Sequence, residues 1–508
     1  MPEVRFLREK NDRNIDHLMK KKLFVAIAAG IAVSFLPAHA QFADPETGAG
    51  APSADQVLAI SLEDALKIAL SENTSVKVAD LEIQKAGYAR KGTYSALFPQ
   101  LDGSGSYQRT IKKQVMYMDF DMGSIMGGDA AEGAASSALP AAGGKNDGIE
   151  VGRWNTWSAG VTAAMPLVNA QLWKSLKISD KDVELSVEKA RSSRLEMVNE
   201  VKKAYFAALL AKEAFNVYKQ VYENALENLD LIQKKFNVQK SSELDLVRAK
   251  TNLANAIPNV YDAENSVMLS LWQLKAVMGL DLEAPIETVG ALGDYAEHML
   301  YDIKENEDPV LDDNTTLRQL AIQAEQLSDA VKLQQYANIP SLSLAFTYNI
   351  NAMTNDFNFK EYKWSPYSFV GLSLNIPIFA GGKRANAIKQ AKVQSRELEL
   401  QKADTERQLR IALHQYLNTM ETAMKSYTAA GAAEETAQKA YDIAHKSYSV
   451  GRSTLTDLND AQLALTQSQL GVCQAIYTFV VAKADLEGLI GADFIDEDGN
   501  VKLNKTYE

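Results

Sequence analysis

Asp457 and Asp460 stand three residues apart, a spacing that places two carboxylates on one face of a helix. Such an acidic face has two readings. It lines an opening when several copies of the chain converge, or Asp457 simply caps the helix that starts after Gly451, where the dipole favours negative charge. No other constellation competes. His298, His414 and His445 are far apart and suggest no ligand set, and Cys473, the single cysteine, sits in a helical run as a small packing residue. One cysteine excludes a disulfide framework and any multi-cysteine zinc site. The motifs HExxH, GxSxG, the P-loop and GxGxxG at a strand–helix junction are all missing, so neither an enzyme nor a cofactor is expected. The acidic stretch Asp493–Asp498 is expected to be a solvated loop rather than a calcium site.

The composition narrows the class further. The chain has 508 residues, 53 basic against 65 acidic, and a formal charge of −12. Its pI near 5.2 excludes a surface that tracks nucleic-acid phosphates. An apolar share of 46% with 23% charged residues excludes wholesale disorder. Residues 19–40 begin with Lys20, Lys21 and Lys22, continue through an apolar Leu23–Leu36, and close on Ala38-His39-Ala40. That is the pattern of a cleaved export signal, too short for a comfortable membrane span. Translation is expected to start at Met19, and cleavage to leave Gln41 first, with no cysteine for a lipid anchor. Residues 1–40 carry seven basic and four acidic groups, so their removal takes the charge from −12 to −15.

The elements that would position the acids come in two copies. Leu70-Ser-Glu-Asn73 recurs as Leu311-Asp-Asp-Asn314, and Ala96-Leu-Phe-Pro99 as Ala337-Asn-Ile-Pro340, both at an offset of 241. Met165-Pro166-Leu167 matches Ile376-Pro377-Ile378 at 211, and Phe236-Asn-Val238 with Asp245-Leu246 matches Tyr448-Ser-Val450 with Asp457-Leu458 at 212. The first copy therefore holds about 30 extra residues, assigned by composition to a Gly/Ala/Ser-rich loop over 119–151. The predicted order in each copy is helix, β-hairpin, long helix, tip, helix. The first repeat covers 61–280, with its hairpin at ~101–167 and tip at ~236–245; the second covers 313–491, with hairpin ~341–378 and tip ~448–460. Residues 41–60 form a linker, 281–312 an equatorial segment and 492–508 a tail.

Leu342, Leu344, Phe346, Tyr348 and Ile350 alternate with small polar residues, as do Val370, Leu372, Leu374, Ile376 and Ile378. Runs of about 11 residues suit tilted transmembrane strands, although a soluble sheet with one wet face alternates in the same way. Tyr107, Tyr117, Trp154, Trp157, Tyr362, Trp364 and Tyr367 crowd the loop ends as an interfacial girdle would. The helices decide the matter. Neither proline nor glycine falls between Leu167 and Ile257, and Leu409, Leu413, Tyr416, Met420, Ala423 and Tyr427 keep heptad spacing. Helices over ~172–236 and ~383–448 would each run about 100 Å at 1.5 Å per residue, too long for an ordinary globular domain. Shorter ones are predicted at ~62–97, ~243–277, ~313–336 and ~455–490, with Pro258 bending the second. Four strands cannot close a barrel in lipid, so the chain must pool them with other copies. Pro166 and Pro377 are expected to end the strand pairing, and Gly381-Gly382 to free the second strand–helix joint.

Val370-Gly-Leu-Ser-Leu-Asn-Ile-Pro-Ile-Phe-Ala-Gly-Gly382 and Tyr448-Ser-Val-Gly-Arg-Ser-Thr-Leu-Thr-Asp-Leu-Asn-Asp460 resemble the strand–helix joint and the second helix-hairpin tip of the TolC family of outer membrane factors. Phe236-Asn-Val238 and Asp245 resemble the first tip, and the likeness spans nearly the whole mature chain. The resemblance implies a mixed α and β membrane protein. It would be a homotrimer with a 12-stranded barrel in the outer membrane, four strands per chain, continued by a periplasmic helical barrel. It implies that Asp457 and Asp460 line the pore constriction, and that Tyr448 and Asp245 form links closing the tip. Six carboxylates around one opening would select cations and lift one another's pKa values. Val238, Val450, Gly451, Arg452 and Ser453 would dock a periplasmic adaptor of the membrane fusion protein class, which couples to an inner-membrane pump of the RND or ABC type. Two departures stand out. Ser453 replaces a link-forming arginine, with Arg452 one position early and turned by roughly 100°, and Gln239 stands where the family has glycine in the first tip.

The function expected is a passive exit duct for small-molecule efflux. Type I protein secretion is the alternative, and a soluble periplasmic coiled-coil scaffold ranks below both because it has no reason to carry two β-hairpins.

Overall fold

The computed structural model describes residues 58–116, 149–296, 299 and 310–491. The export signal, most of the linker, the core of the Gly/Ala-rich loop, His298 with much of the equatorial segment, and the tail lie outside the described residues. The chain divides into two compact units. One draws on residues 80–189 and 316–405, the other on residues up to 79, 190–315 and from 406 on.

The first unit carries the sheet. Strands β2 (Gln100–Arg109), β5 (Asn155–Val168), β7 (Ser341–Thr354) and β8 (Ser365–Asn375) lie in that order, each antiparallel to its neighbour. A short extension pairs β3 (Gln114–Met116) with β4 (Ile149–Val151) beyond the first hairpin. The register is what makes the sheet two-faced. Val161 lies opposite Gly103 and Tyr348, Ala163 opposite Phe346, and Phe346 opposite Val370, so the alternating apolar residues of all four strands share one face. The other face collects Asp102, Ser104, Ser106, Thr156, Ser158, Thr347, Asn349 and Ser373. On the apolar face Val370 is 68% and Leu372 67% exposed, a cost that water would not tolerate across a whole sheet but lipid removes. Among the described residues neither edge strand, β2 nor β8, has a second partner.

Pro166 does not end the pairing. It faces Ser343 inside β5, and the register shifts between Pro166 and Val168, so the missing donor is accommodated as a bulge toward β7. Pairing of β5 with β2 stops earlier, at Ala164. β8 ends at Asn375, two residues before Pro377, and Gly381 and Gly382 both take positive φ (58° and 82°). The long helices follow directly: α3 (Ala170–Asn237) after β5 and α6 (Lys383–Ser449) after β8.

The expected helix at ~62–97 is two, α1 (Leu62–Glu72) and α2 (Thr74–Ser95), broken at Asn73. Asn73 turns extended, accepts from Ser75 N–H at 2.7 Å, and donates its amide to the Val277 carbonyl at 2.7 Å, near the end of α4 (Glu243–Met278). Asn314 repeats the contact before α5 (Thr315–Tyr336), donating to the Leu489 carbonyl at 2.7 Å near the end of α7 (Leu455–Ile490). The recurring asparagine of the repeat is thus a clamp between a helix start and a helix end. Gly279 and Gly491 terminate α4 and α7 in the left-handed region at φ 78° and 76°. Pro258 stands within a continuous α4.

The second unit packs its core around Leu66, Phe206, Leu274, Met278, Phe479, Val480 and Leu486, all buried. A two-stranded parallel pair, β1 (Leu58–Ile60) with β6 (Ile286–Thr288), flanks it. Lys202 and Glu487 form an ion pair at 2.7 Å, 1% and 5% exposed, and burial pulls the Lys202 ammonium below its ordinary pKa. Among the described residues no helix is long and apolar enough to cross a membrane.

Candidate functional site

The two helix hairpins end in turns built from identical parts. After α3, Gln239 N–H donates to Phe236 C=O at 2.9 Å and Lys240 N–H to Lys235 C=O at 2.8 Å. After α6, Gly451 N–H donates to Tyr448 C=O at 3.0 Å and Arg452 N–H to Ser447 C=O at 2.8 Å. These paired bonds, with a left-handed residue between, close both helices in Schellman fashion. Gln239 therefore takes φ +56° where Gly451 takes +80°: the first tip keeps the glycine geometry without the glycine, at a steric cost.

Each turn opens the next helix with a side-chain cap. Ser242 Oγ accepts from Asp245 N–H at 3.0 Å, and Thr454 Oγ1 from Asp457 N–H at 3.2 Å. The Asp457 carboxylate returns the favour by accepting from Thr454 N–H at 2.9 Å, completing a capping box. That bond holds the Asp457 carboxyl below its usual pKa, opposite in direction to the upward shift expected from crowding in a ring. Asp457 thus caps the helix, and its side chain stays exposed, as does that of Asp460.

Beneath the turns, Ile232, Leu246, Ala249, Tyr448, Leu455 and Leu458 are all buried and draw α3, α4, α6 and α7 into one small core. Tyr448 is at its centre, 7% exposed, and burial with the nearby Asp245 charge raises its phenol pKa. The Asp245 carboxylate accepts from the Ser242 hydroxyl at 2.7 Å. The cation that does hold Tyr448 is Lys235. Its ammonium lies 4.8 Å over the Tyr448 ring and donates to the Tyr448 carbonyl at 3.0 Å. Sequence reading missed Lys235; the available signal was the repeat itself, because the equivalent position is Ser447.

Val238 and Val450 project from the turns, 62% and 69% exposed, with Gly451 and Arg452 exposed beside them. Ser453 turns inward instead, and its hydroxyl donates to the Ala444 carbonyl at 3.3 Å. Farther along, Asn224, Asn228, Asn252, Asn255, Asn459 and Gln462 line a groove of about 480 Å³ between α3, α4 and α7, where Asn224 donates to Gln462 at 2.8 Å. Among the described residues no group of three His, Cys, Asp or Glu side chains could hold a metal, and His445 stacks on Tyr441 at 5.9 Å. Burial pushes the Cys473 thiol up to about 11, which disfavours the thiolate.

Known proteins share this arrangement. The chain is 23% identical to the outer membrane protein TolC of Vibrio cholerae over 364 residues, 68% of this chain and 80% of that protein. It is 23% identical over 360 residues to the alkaline protease secretion protein AprF of Pseudomonas aeruginosa, covering 67% of this chain and 73% of that one. The fold superimposes on the CmeC outer membrane channel of Campylobacter jejuni with a TM-score of 0.63 at 19% identity, over 90% of this chain and 92% of that one. That is the expected fold: two helical repeats, each contributing a β-hairpin to a trimeric outer membrane barrel continued by periplasmic helices. The sequence profile of the outer membrane efflux proteins matches residues 65–280 and 308–492, well over half of the chain, and this chain belongs to that family.

Proposed function

We propose that three copies of the chain form a passive exit duct for small molecules, closed at its periplasmic end by the helix tips and opened by an adaptor that couples it to an inner-membrane pump. The observation that carries this reading is the pair of two-faced hairpins with unpaired outer edges, because four strands with an apolar face need partner chains before lipid can accept them. On this reading Asp457 and Asp460 ring the narrow opening and repel or admit ions by charge. Tyr448, Asp245 and Lys235 hold the tip shut, and Val238, Val450, Gly451, Arg452 and Ser453 meet the adaptor. The groove lined by amides offers hydrogen bonds to a partner helix at the same level.

The test is reconstitution of the mature chain into planar bilayers. A conducting, detergent-extracted trimer of low conductance and cation preference supports the reading, whereas a soluble monomer in the periplasmic extract ends it. A second reading, protein export through a type I system, rests on the similarity to AprF, whose name describes secretion of a protease. Co-purification separates the two, since the first predicts an adaptor with a proton-driven RND pump and the second an ABC exporter.

A further inference from the structure

The outer end of the sheet carries a feature that a bare barrel rim does not need. Residues 355–364, which join β7 to β8, fold back over the apolar face of the strands. Tyr107 lies 4.3 Å from Trp157 and 6.3 Å from Phe357, while Phe359 lies 5.2 Å from Trp157 and 4.8 Å from Tyr362. The fold-back is pinned through one carbonyl. Asp356 C=O accepts from Asn155 Nδ2 at 3.1 Å, from Thr354 Oγ1 at 2.9 Å and from Tyr362 Oη at 2.8 Å, and Asn155 is 1% exposed. These bonds tie the connection to the strands, yet Phe357, Phe359 and Trp364 stay about half exposed, and Ile111, on the connection after β2, almost wholly so.

Cations decorate this platform. Arg109 lies 5.8 Å over Phe357 and Lys113 4.7 Å over Trp154, while Arg153, Lys360 and Lys363 are exposed on the same connections. Among the described residues of 109–116, 149–154 and 355–364 there are six basic side chains against three acidic ones, in a chain whose net charge is −12. The sign is thus reversed where the strands leave the membrane. A ring held under a guanidinium or ammonium keeps the cation at interface depth; Arg109 is exposed, whereas Lys113 is 17% exposed and lies 3.8 Å from the Glu150 carboxylate, which a phosphate would have to outcompete.

We propose that this rim is a binding site for the phosphate-bearing headgroup of an outer-leaflet glycolipid, with Arg109, Lys113, Lys360 and Lys363 taking the phosphates and Phe357, Phe359, Trp364 and Ile111 taking the first methylenes of its acyl chains. The proposal rests on the reading that the apolar sheet face meets lipid. The test titrates the full-length trimer in detergent with bis-phosphorylated lipid A, the same lipid after phosphate removal, and inorganic phosphate, read by native mass spectrometry. The phosphorylated lipid should bind at least about tenfold more tightly than the dephosphorylated one, and millimolar inorganic phosphate should not displace it. Changing Arg109, Lys113, Lys360 and Lys363 together to glutamine should weaken binding by roughly fivefold per charge, several hundred-fold in all, whereas Arg109→Lys should retain it. Equal affinity for both lipids, displacement by inorganic phosphate, or unchanged binding by the fourfold variant would each overturn the site. Bilayer conductance of the same preparations is measured alongside, so that a trimer that conducts but ignores the phosphate separates failure of this site from failure of the channel reading. If the variant yields no trimer, the native protein answers through salt: affinity must fall steeply between about 50 mM and about 500 mM sodium chloride, and a flat profile refutes the site.

Discussion

Replacing Lys235 by methionine keeps the aliphatic stem in the tip core but removes the ammonium that holds Tyr448. Two contacts are lost, the donation to the Tyr448 carbonyl at 3.0 Å and the cation over its ring at 4.8 Å. In a half-buried setting the first contributes about 1 kcal/mol and the second about 0.5–1 kcal/mol. Their sum shifts the closed-to-open ratio of one tip by roughly tenfold to thirtyfold. Where three tips must part together, the effect multiplies to about a thousandfold or more. Single-channel recording in planar bilayers should therefore show K235M channels at higher conductance and with longer open periods than the native protein. Lys234→Met is the control, because Lys234 pairs only with the exposed Asp230 at 2.5 Å, one turn back on its own helix. Combining Lys235→Met with Tyr448→Leu should cost less than the sum of the two, since they share the cation–ring contact, while the bond to the residue-448 carbonyl is lost only with Lys235. Native conductance in inserted K235M trimers would refute the latch, as would an equal effect of K234M.

Changing Asp457 and Asp460 together to asparagine should raise conductance and abolish cation preference, and reversal potentials in a salt gradient measure both. The Thr454 N–H keeps the Asp457 carboxyl below its ordinary pKa of 3.8, so the ionised cap is favoured above that value and its contribution disappears only as pH falls through the lowered one. Cation preference should accordingly stay flat from about pH 7 to about pH 4.5; a decline centred between about pH 5 and pH 6 would show crowding in the ring outweighing the cap. Gln239→Gly relieves a left-handed glutamine and should stabilise the first tip by about 1 kcal/mol, seen as slower proteolysis at the turn. Phe206→Ala empties a site that is fully buried and edge-on to Tyr295 at 5.0 Å, and should cost about 3–5 kcal/mol, seen as a lower melting temperature of the trimer.

Much of this fold is legible because its signals are long. The alternation along β7 and the heptad spacing along α6 each extend over many residues, so local exceptions do not disturb them. What was missed depends on single residues whose partners lie far off in sequence. Asn73 reads as one polar residue in a helical run; only its bond to the Val277 carbonyl, 204 positions away, turns it into a break. Pro166 reads as a terminator because it lacks a donor, but the partner strand has room for a bulge at that point. Lys235 is one of many helix lysines, and nothing within its own helix marks it as the contact of Tyr448. Gln239 was the converse case, a departure from glycine in sequence that left the turn unchanged.

The repeat offset of 212 separates frame from function at the tips. Gln239 and Gly451, Ser242 and Thr454, Asp245 and Asp457 are equivalent pairs, and each performs the same backbone task in both hairpins. The differences fall on the helix side of the turn, where Lys235 and Phe236 in the first hairpin match Ser447 and Tyr448 in the second. A cation facing a cation would repel, whereas an ammonium over a phenol ring attracts, so unlike residues at these positions allow this latch. Divergence at these two positions therefore lets one frame, used twice, bind to itself. The same divergence changes the environment of the shared carboxylate. Asp245 is half-buried beside Tyr448, whereas Asp457 is exposed at the start of α7. In the proposed gate the second hairpin thus carries both the acids at the opening and the aromatic that is held. Moving that hairpin alone would release Lys235 and displace the charged ring in one step, without any rearrangement of the first.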